Sequence, residues 1–496
     1  NVAEWLVCNL ENGPESLDQI VSGESQLQAA LQATAGNLLG SLRKLSRMRG
    51  TALFERLSLV DRTLREERAG DYPRLDEASR DTLRRRVERL AERMRVPENL
   101  VAAQAVALAN AAYEAPRARA AGDDAHAAAE PPPRRVNTAY YLLEPDGIAE
   151  LREALNACGK TRALPGNALL RRPERAYFRL LALSFVIVLL AFLAWIAGGG
   201  PLALPEAAAA AAALALPAGE WAVAAAHWLI EKTRKPVRLL RYDYSAGVPE
   251  EAATVVVIPV IWSDPEEVRA VAGRLEMHFL ANRDPNIRFA ILSDFKDASA
   301  EEEAEDRFVL KTAEAEIDRL NRTYPETSFH LFHRRRMWNE SEGAWIGWER
   351  KRGKLVEFVE WLKGGKETTF SVIKGDAEKL RNIRYVITLD ADTQLPLESA
   401  HRMIGAMHLP YNRPRLNEAG TRVVEGYCIL QPRIGMSHES ASRSRLAALF
   451  SGEPGVDPYA FAVSDPYQDA VGQGIFTGKG IFDADVFYKV LRGRIP

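Results

Sequence analysis

The chain has 496 residues and a formal net charge of -2, with 65 Lys and Arg against 67 Asp and Glu. Such a length calls for roughly two to four structural units, and the near-neutral balance argues neither for a nucleic-acid partner nor for a strongly acidic one. The three cysteines, Cys8, Cys158 and Cys428, lie far apart without CxxC spacing, which excludes a disulfide framework and a zinc site.

Residues 1–117 read as a helical region. In SRDTLRRRVERLAERM, Leu83, Val87, Leu90 and Met94 share one helical face, with Ser79 as the expected cap and Pro97 limiting the end. The Arg84–Arg86 run alternates with Glu88, Glu92 and Glu98, as a solvated face does. Residues 118–135 are rich in Ala and Pro and read as a linker, followed by a juxtamembrane helical region over 136–175.

Residues 176–231 read as two transmembrane helices. The stretch from Leu180 to Ala197 carries no charge, over about the length a bilayer core requires. A second apolar stretch, Leu202 to Ile230, is interrupted by Glu206, Glu220 and His227, and either spans or lies at the interface. Arg171, Arg172, Arg175 and Arg179 precede the pair; Lys232, Arg234, Lys235, Arg238 and Arg241 follow it. The positive-inside tendency then leaves both flanking regions in the cytoplasm.

Residues 232–496 alternate strand and helix, which predicts an α/β fold with a mostly parallel sheet and helices on both faces. ATVVVIPVIW is a strand buried on both faces, and SDPEEVRAVAGRLEMHFLAN a helix with Ser263 or Asp264 at its cap. IRFAILSD and SFHLFHR are further strands, KRGKLVEFVEWLKGG a helix, and RYVITLD a strand that runs into Asp390 and Asp392. Ligands of such sheets bind beyond the carboxyl ends of the strands, where Asp264, Asp294, Asp390 and Asp392 all fall.

The paired acids admit two chemistries. As a D-x-D they supply hard oxygen donors for Mg²⁺ or Mn²⁺, whose shell a substrate diphosphate completes. The string DADT also fits an aspartyl phosphatase of the haloacid dehalogenase type, with Asp390 as nucleophile and Asp392 as acid–base. About 130 residues of α/β pattern precede it, whereas in that fold the signature ends the first strand. In a third reading the acids merely cap a helix, although one carboxylate suffices for that and two repel.

Several long strings resemble the cyclic β-1,2-glucan synthases, bacterial inner-membrane glycosyltransferases. They are GWERKRGKLVEF, RYVITLDADTQLP, GYCILQPRIG and LFSGEPGVDPYAFAVSDPYQDAVGQGIFTGKGIFDADVF, with NVAEWLV near the start. The resemblance implies a GT-A type fold, UDP-glucose as donor, a divalent metal, and an inverting transfer onto a β-1,2-glucan chain. Carried over, Pro259 to Asp264 would border the nucleotide and Asp294 the uracil or ribose. Gly353 and Lys354 would meet the donor, with Lys354 at its diphosphate. Asp390 and Asp392 would hold metal and diphosphate. Gln431 and Arg433 would flank the acceptor, and GQGIFTGKG would form the floor under the donor sugar.

His330, His333, His401 and His408 lack ligand spacing and read as structural, and Asp483 to Asp485 as a helix cap region. An inverting transfer also needs a general base. The chain reads as an internal piece of a longer protein, so the base is expected beyond Pro496, with Asp465 or Asp469 as the internal alternatives. A phosphohydrolase and a non-catalytic membrane scaffold remain the other function classes.

Overall fold

The computed structural model describes residues 57–120, 134–157, 173–198, 203–233, 239–432 and 478–491, with a few single positions besides. The amino-terminal region is helical: α1 (Leu59–Leu64), α2 (Glu77–Met94), α3 (Glu98–Ala120), α4 (Thr138–Leu143) and α5 (Pro145–Ala157). Leu83, Val87, Leu90 and Met94 are buried along α2, as their spacing predicts. The cap is Asp76 rather than Ser79: its carboxylate accepts from the Ser79 N–H at 2.9 Å. The Ser79 hydroxyl instead accepts from the Arg241 N–H at 3.0 Å.

The arginine run is not a solvated face throughout. Arg85 is exposed beside Asp81, but Arg84 is buried between Glu55 and Asp61, and Arg86 donates to the Leu142 carbonyl. Asp61 is fully buried, and a buried carboxylate requires a cationic partner.

Helices α6 (Pro173–Ala197) and α7 (Leu204–Thr233) are each long and apolar enough to cross a membrane. Ala218, Ala222 and Ala226 are buried along one stripe of α7, small residues of the kind that let two helices approach closely. Where they meet, the Tyr177 hydroxyl lies 3.0 Å from His227 Nε2. Outside that contact the two helices present apolar side chains outward.

The remainder is α/β and GT-A-like. Its strands and helices follow as β1 (Thr254–Trp262), α8 (Pro265–Ala281), β2 (Ile287–Phe295), α9 (Asp306–Thr323), β3 (Phe329–Arg334), β4 (Met337–Asn339), β5 (Ala344–Ile346) and α10 (Arg350–Leu362). Then come β6 (Phe370–Lys374), β7 (Tyr385–Thr388), α11 (Ser399–His408), β8 (Arg415–Leu416), β9 (Val423–Glu425), β10 (Ile429–Leu430), β11 (Gly480–Asp483) and α12 (Ala484–Leu491). The main sheet has the order β10-β11-β7-β1-β2-β3-β6. Strands β7, β1, β2 and β3 pair in parallel, while β6 and β11 run antiparallel to their neighbours.

Alternation along β1 supplies both faces, since successive side chains of a strand point to opposite sides. Val256, Ile258 and Val260 join the core under α8, α9 and α11, and Val255 and Val257 join the core under α10 and α12. The amino-terminal helices share the first of these cores, which holds Leu83 and Val101 together with Tyr242 and Leu409. Polar ties reinforce that junction: Arg241 pairs with Asp76 at 2.5 Å, and the Tyr242 hydroxyl donates to buried Asp71. Arg134 donates to the Tyr411 carbonyl at 3.1 Å, and the Tyr411 hydroxyl donates to Glu144 at 2.9 Å.

Candidate active site

The site forms where the β1–β7 ladder stops. Its last pair is Val257 with Thr388, and the Leu389 N–H still donates to the Val257 carbonyl at 3.1 Å. Two residues on, at the next position facing β7, stands Pro259, which has no N–H to donate. The chain after β7 is therefore free to turn away. Pro259 itself lies inside β1, buried and paired with Leu292, within the run ATVVVIPVIW read as a strand; of the segment Pro259 to Asp264 expected to border the nucleotide, only Ser263 and Asp264 lie beyond the strand.

The departing chain makes a turn closed by the Thr393 N–H donating to the Asp390 carbonyl at 3.0 Å. Asp at the first position favours such turns. Beyond it, the Leu395 N–H donates to His278 Nδ1 at 3.4 Å, and the Asn282 amide donates to the Pro396 carbonyl at 3.2 Å. Helix α8 thereby anchors the far end of the loop. Asp390 is half-buried and Asp392 exposed at the tip. A long bond of 3.4 Å from the Thr393 hydroxyl reaches the Asp392 carboxylate.

Two lysines grip Asp390. Lys351 Nζ, from the first turn of α10, bonds its Oδ1 and also the Gly478 carbonyl at 2.9 Å. Lys479 Nζ, just before β11, lies 3.0 Å from its Oδ2. Burial raises the Asp390 pKa, but the two ammonium groups outweigh burial and hold the carboxyl below the usual carboxylate range. Neither lysine was singled out from the sequence. Lys351 stands in the same string as Lys354, and Lys479 in the expected floor segment.

Lys354 is not at this clamp. It is 1% exposed, donates to the Val260 carbonyl at 2.5 Å, and lies 2.9 Å from Asp294 Oδ2. Burial pulls its pKa down to about 8 against the support of Asp294, with Arg334 and Lys351 adding repulsion. Asp294 is likewise enclosed at 2% exposure, so its carboxylate does not face a nucleoside. Arg334, from the end of β3, binds it through two bonds of 2.8 and 2.9 Å. Gly347 closes over it, since a Cβ there would stand 2.5 Å from the carboxylate. Glu357 completes the cluster, 3.2 Å from Arg334.

The cluster holds up the clamp. Arg334 donates to the carbonyls of Trp348 at 2.9 Å and Arg350 at 3.1 Å, bracketing Glu349 and Arg350, whose φ angles are +48° and +47°. Two successive left-handed residues without glycine cost about 1 kcal/mol or more each, and such strain gathers at functional sites. Gly353 contributes by closeness rather than by ligand contact: a Cβ there would meet the Trp348 carbonyl at 2.2 Å.

The other sequence-derived positions separate. The Asp264 carboxylate caps α8, accepting from the N–H groups of Glu266 and Glu267 at 2.8 and 3.0 Å. Gln431 is exposed just after β10, the strand next to β11. Asp483 caps α12 by accepting from Asp485 and Val486 at 3.1 Å. Arg433, Asp465 and Asp469 lie outside the described residues. Among the described residues no three His, Cys, Asp or Glu gather as a metal site. Asp390 and Asp392 alone are a partial, all-oxygen set, which suits a hard cation whose remaining ligands are water and phosphate oxygens.

Fold and site together define a GT-A-like α/β protein with a lysine-gripped aspartate at the carboxyl edge of its sheet. No family model matches the chain. The cyclic beta-(1,2)-glucan synthase NdvB of Rhizobium meliloti (strain 1021) is 34% identical to it over 500 residues, covering 100% of this chain and 17% of that protein. The resemblance borne by the motifs therefore holds along the entire chain, which is homologous to a segment of a cyclic β-1,2-glucan synthase.

Proposed function

We propose that the chain is the glucosyltransferase portion of a membrane-bound β-1,2-glucan synthase, with UDP-glucose as donor and a glucan chain as acceptor. Residues 176–231 would seat it in the bacterial inner membrane, and residues 232–496 would face the cytoplasm as the catalytic unit. The observation that carries this reading is the pairing of Asp390 with Lys351 and Lys479 beside exposed Asp392. When a glycosidic bond to UDP breaks, negative charge develops on the diphosphate. Ammonium groups preset where that charge appears stabilise the transition state more than the ground state.

Asp390 holds both lysines in place, and a diphosphate entering the cleft takes over their hydrogen bonds. Asp392 and Asp390 would ligate Mg²⁺ or Mn²⁺, which supplies further charge neutralisation for the leaving diphosphate. The acceptor hydroxyl must lose its proton as it attacks; within this chain Asp465 or Asp469 is the alternative carboxylate to take it. Homology to a glucan synthase weighs against the phosphohydrolase reading of Asp390. So does the engagement of both its carboxylate oxygens by lysines.

Calorimetric titration of UDP-glucose into the detergent-solubilised chain, with and without Mn²⁺, tests the reading. Binding is expected to require Mn²⁺ and to weaken at least about tenfold in Asp392→Ala, the loss of one ligand to a metal–phosphate complex. Binding indifferent to both changes refutes it.

A further inference from the structure

Among the described residues five tryptophans are strongly exposed: Trp195, Trp221, Trp228, Trp338 and Trp348. The first three belong to α6 and α7, where a membrane accounts for them. The other two, 50% and 44% exposed, both line one open cavity of about 620 Å³ between the β4–β5 hairpin and the first turn of α10. Isolated exposed apolar residues need no explanation, but two indoles converging on one hollow mark a binding surface.

The indole of Trp338 is held in place. Its ring meets Trp345 edge-on at 5.9 Å, and Trp345 is tied through its backbone to Ala298 by bonds of 2.9 and 3.0 Å. The hairpin turn is set by the Asn339 side chain, which accepts from the Ser341 N–H at 3.0 Å and hydroxyl at 2.7 Å. Around the indoles stand Glu340, Glu342 and Glu349 against Arg350, Lys351 and Arg352. Acids and bases balance, so the hollow has no net preference for an anion. No residue from the ends of β1, β2 or β7 lines it, so it lies beside the donor cleft and not within it. Lys351 is the shared wall, since it lines the hollow and grips Asp390.

Flat apolar faces with a rim of amide, carboxylate and guanidinium suit one ligand chemistry: uncharged sugar rings, whose C–H faces stack and whose hydroxyls bond the rim. We propose that this hollow is a subsite for the glucan chain, in which glucose units stack on Trp338 and Trp348 and hold the polymer next to Asp390. The proposal rests on the glucosyltransferase reading, because that reading supplies the polymer.

Short β-1,2-linked gluco-oligosaccharides, titrated into the solubilised chain without nucleotide, test it. Trp338 is the residue to change, because the Trp348 ring also packs closely over Gly353 of α10, where an added Cβ would stand 2.7 Å from it. Trp338→Ala should weaken oligosaccharide binding up to about tenfold, the loss of one stacking face, while UDP affinity stays constant. Trp338→Phe should retain most of the binding. The proposal fails if the intact chain binds no oligosaccharide, or if Trp338→Ala leaves the affinity unchanged. It also fails if UDP affinity drops in step with sugar affinity, which would give the hollow to the nucleotide. Failure of the glucosyltransferase reading appears separately, as UDP-glucose binding indifferent to Mn²⁺ and to Asp392→Ala.

Discussion

Replacing Lys479 by Met removes one ammonium from Asp390 and keeps the length of the apolar stem. The pair is partly solvated, with side chains 23% and 33% exposed and 3.0 Å apart. Exposed ion pairs contribute about 1 kcal/mol or less to stability, so the variant should unfold within a few degrees of the parent. Its effect on ligand binding is larger. A charge-assisted hydrogen bond from Lys479 to a diphosphate oxygen contributes about 1.5–3 kcal/mol, and partial solvation favours the lower figure, which is about tenfold in affinity. Asp390, freed of one competitor, should also hold Mn²⁺ more tightly when no nucleotide is added. Calorimetry for UDP, and Mn²⁺ spin resonance for the metal alone, read the two effects separately. UDP affinity unchanged in both Lys479→Met and Lys351→Met would refute the phosphate role of the clamp.

Lys354→Met should act on stability instead. It leaves Asp294 and Glu357 sharing Arg334 in a buried cluster, at a cost of about 3–5 kcal/mol, seen as a lower unfolding midpoint with UDP affinity retained in the folded fraction. Acid should destabilise the fold through buried histidines. Burial lowers the pKa of His278, His330 and His333 to about 4 and of His408 to about 3, against 6.5 for the free side chain. Between pH 6.5 and about 4 the unfolded chain takes up protons that the folded chain refuses. Stability is therefore lost as pH falls through that window, by up to about 1.4 kcal/mol per pH unit for each histidine. Thermal unfolding followed from pH 7 to pH 5 measures the slope, and His333→Gln should reduce it by one histidine's share.

The parallel core was legible because strands buried on both faces are spelled as apolar runs: β1 is one almost throughout, and β2 and β7 carry the shorter runs FAIL and YVI. Strand β3, FHLFHR, mixes histidine and arginine with its apolar residues and was read from its place between two helical patterns. The antiparallel edge strand β6, FSVIK, alternates over five residues and offers no such run. The D-x-D pair was legible from its place after a buried strand. The lysines were not, because Lys351 and Lys354 stand three residues apart on one helix. Their assignment depends on the rotation of α10 against the sheet, which local spacing does not encode. Asp294 misled for a related reason. Its position at a strand end was read correctly, but its enclosure depends on Arg334 from β3 and on Gly347, 53 residues further along the chain.

The docking of the amino-terminal helices onto the α/β body reaches beyond packing. Residues 57–157 come before α6 in the chain and residues 239–432 come after α7, yet Asp76 meets Arg241 and Arg134 meets Tyr411 within one folded unit. A folded unit cannot be divided by a lipid bilayer. Whatever stretch separates its two halves must therefore leave and re-enter on the same side, so crossings come in even numbers. Helices α6 and α7 then stand or fall as a pair: both traverse, or neither does. A lone spanning helix would tear the unit in two, whatever the charges beside it preferred.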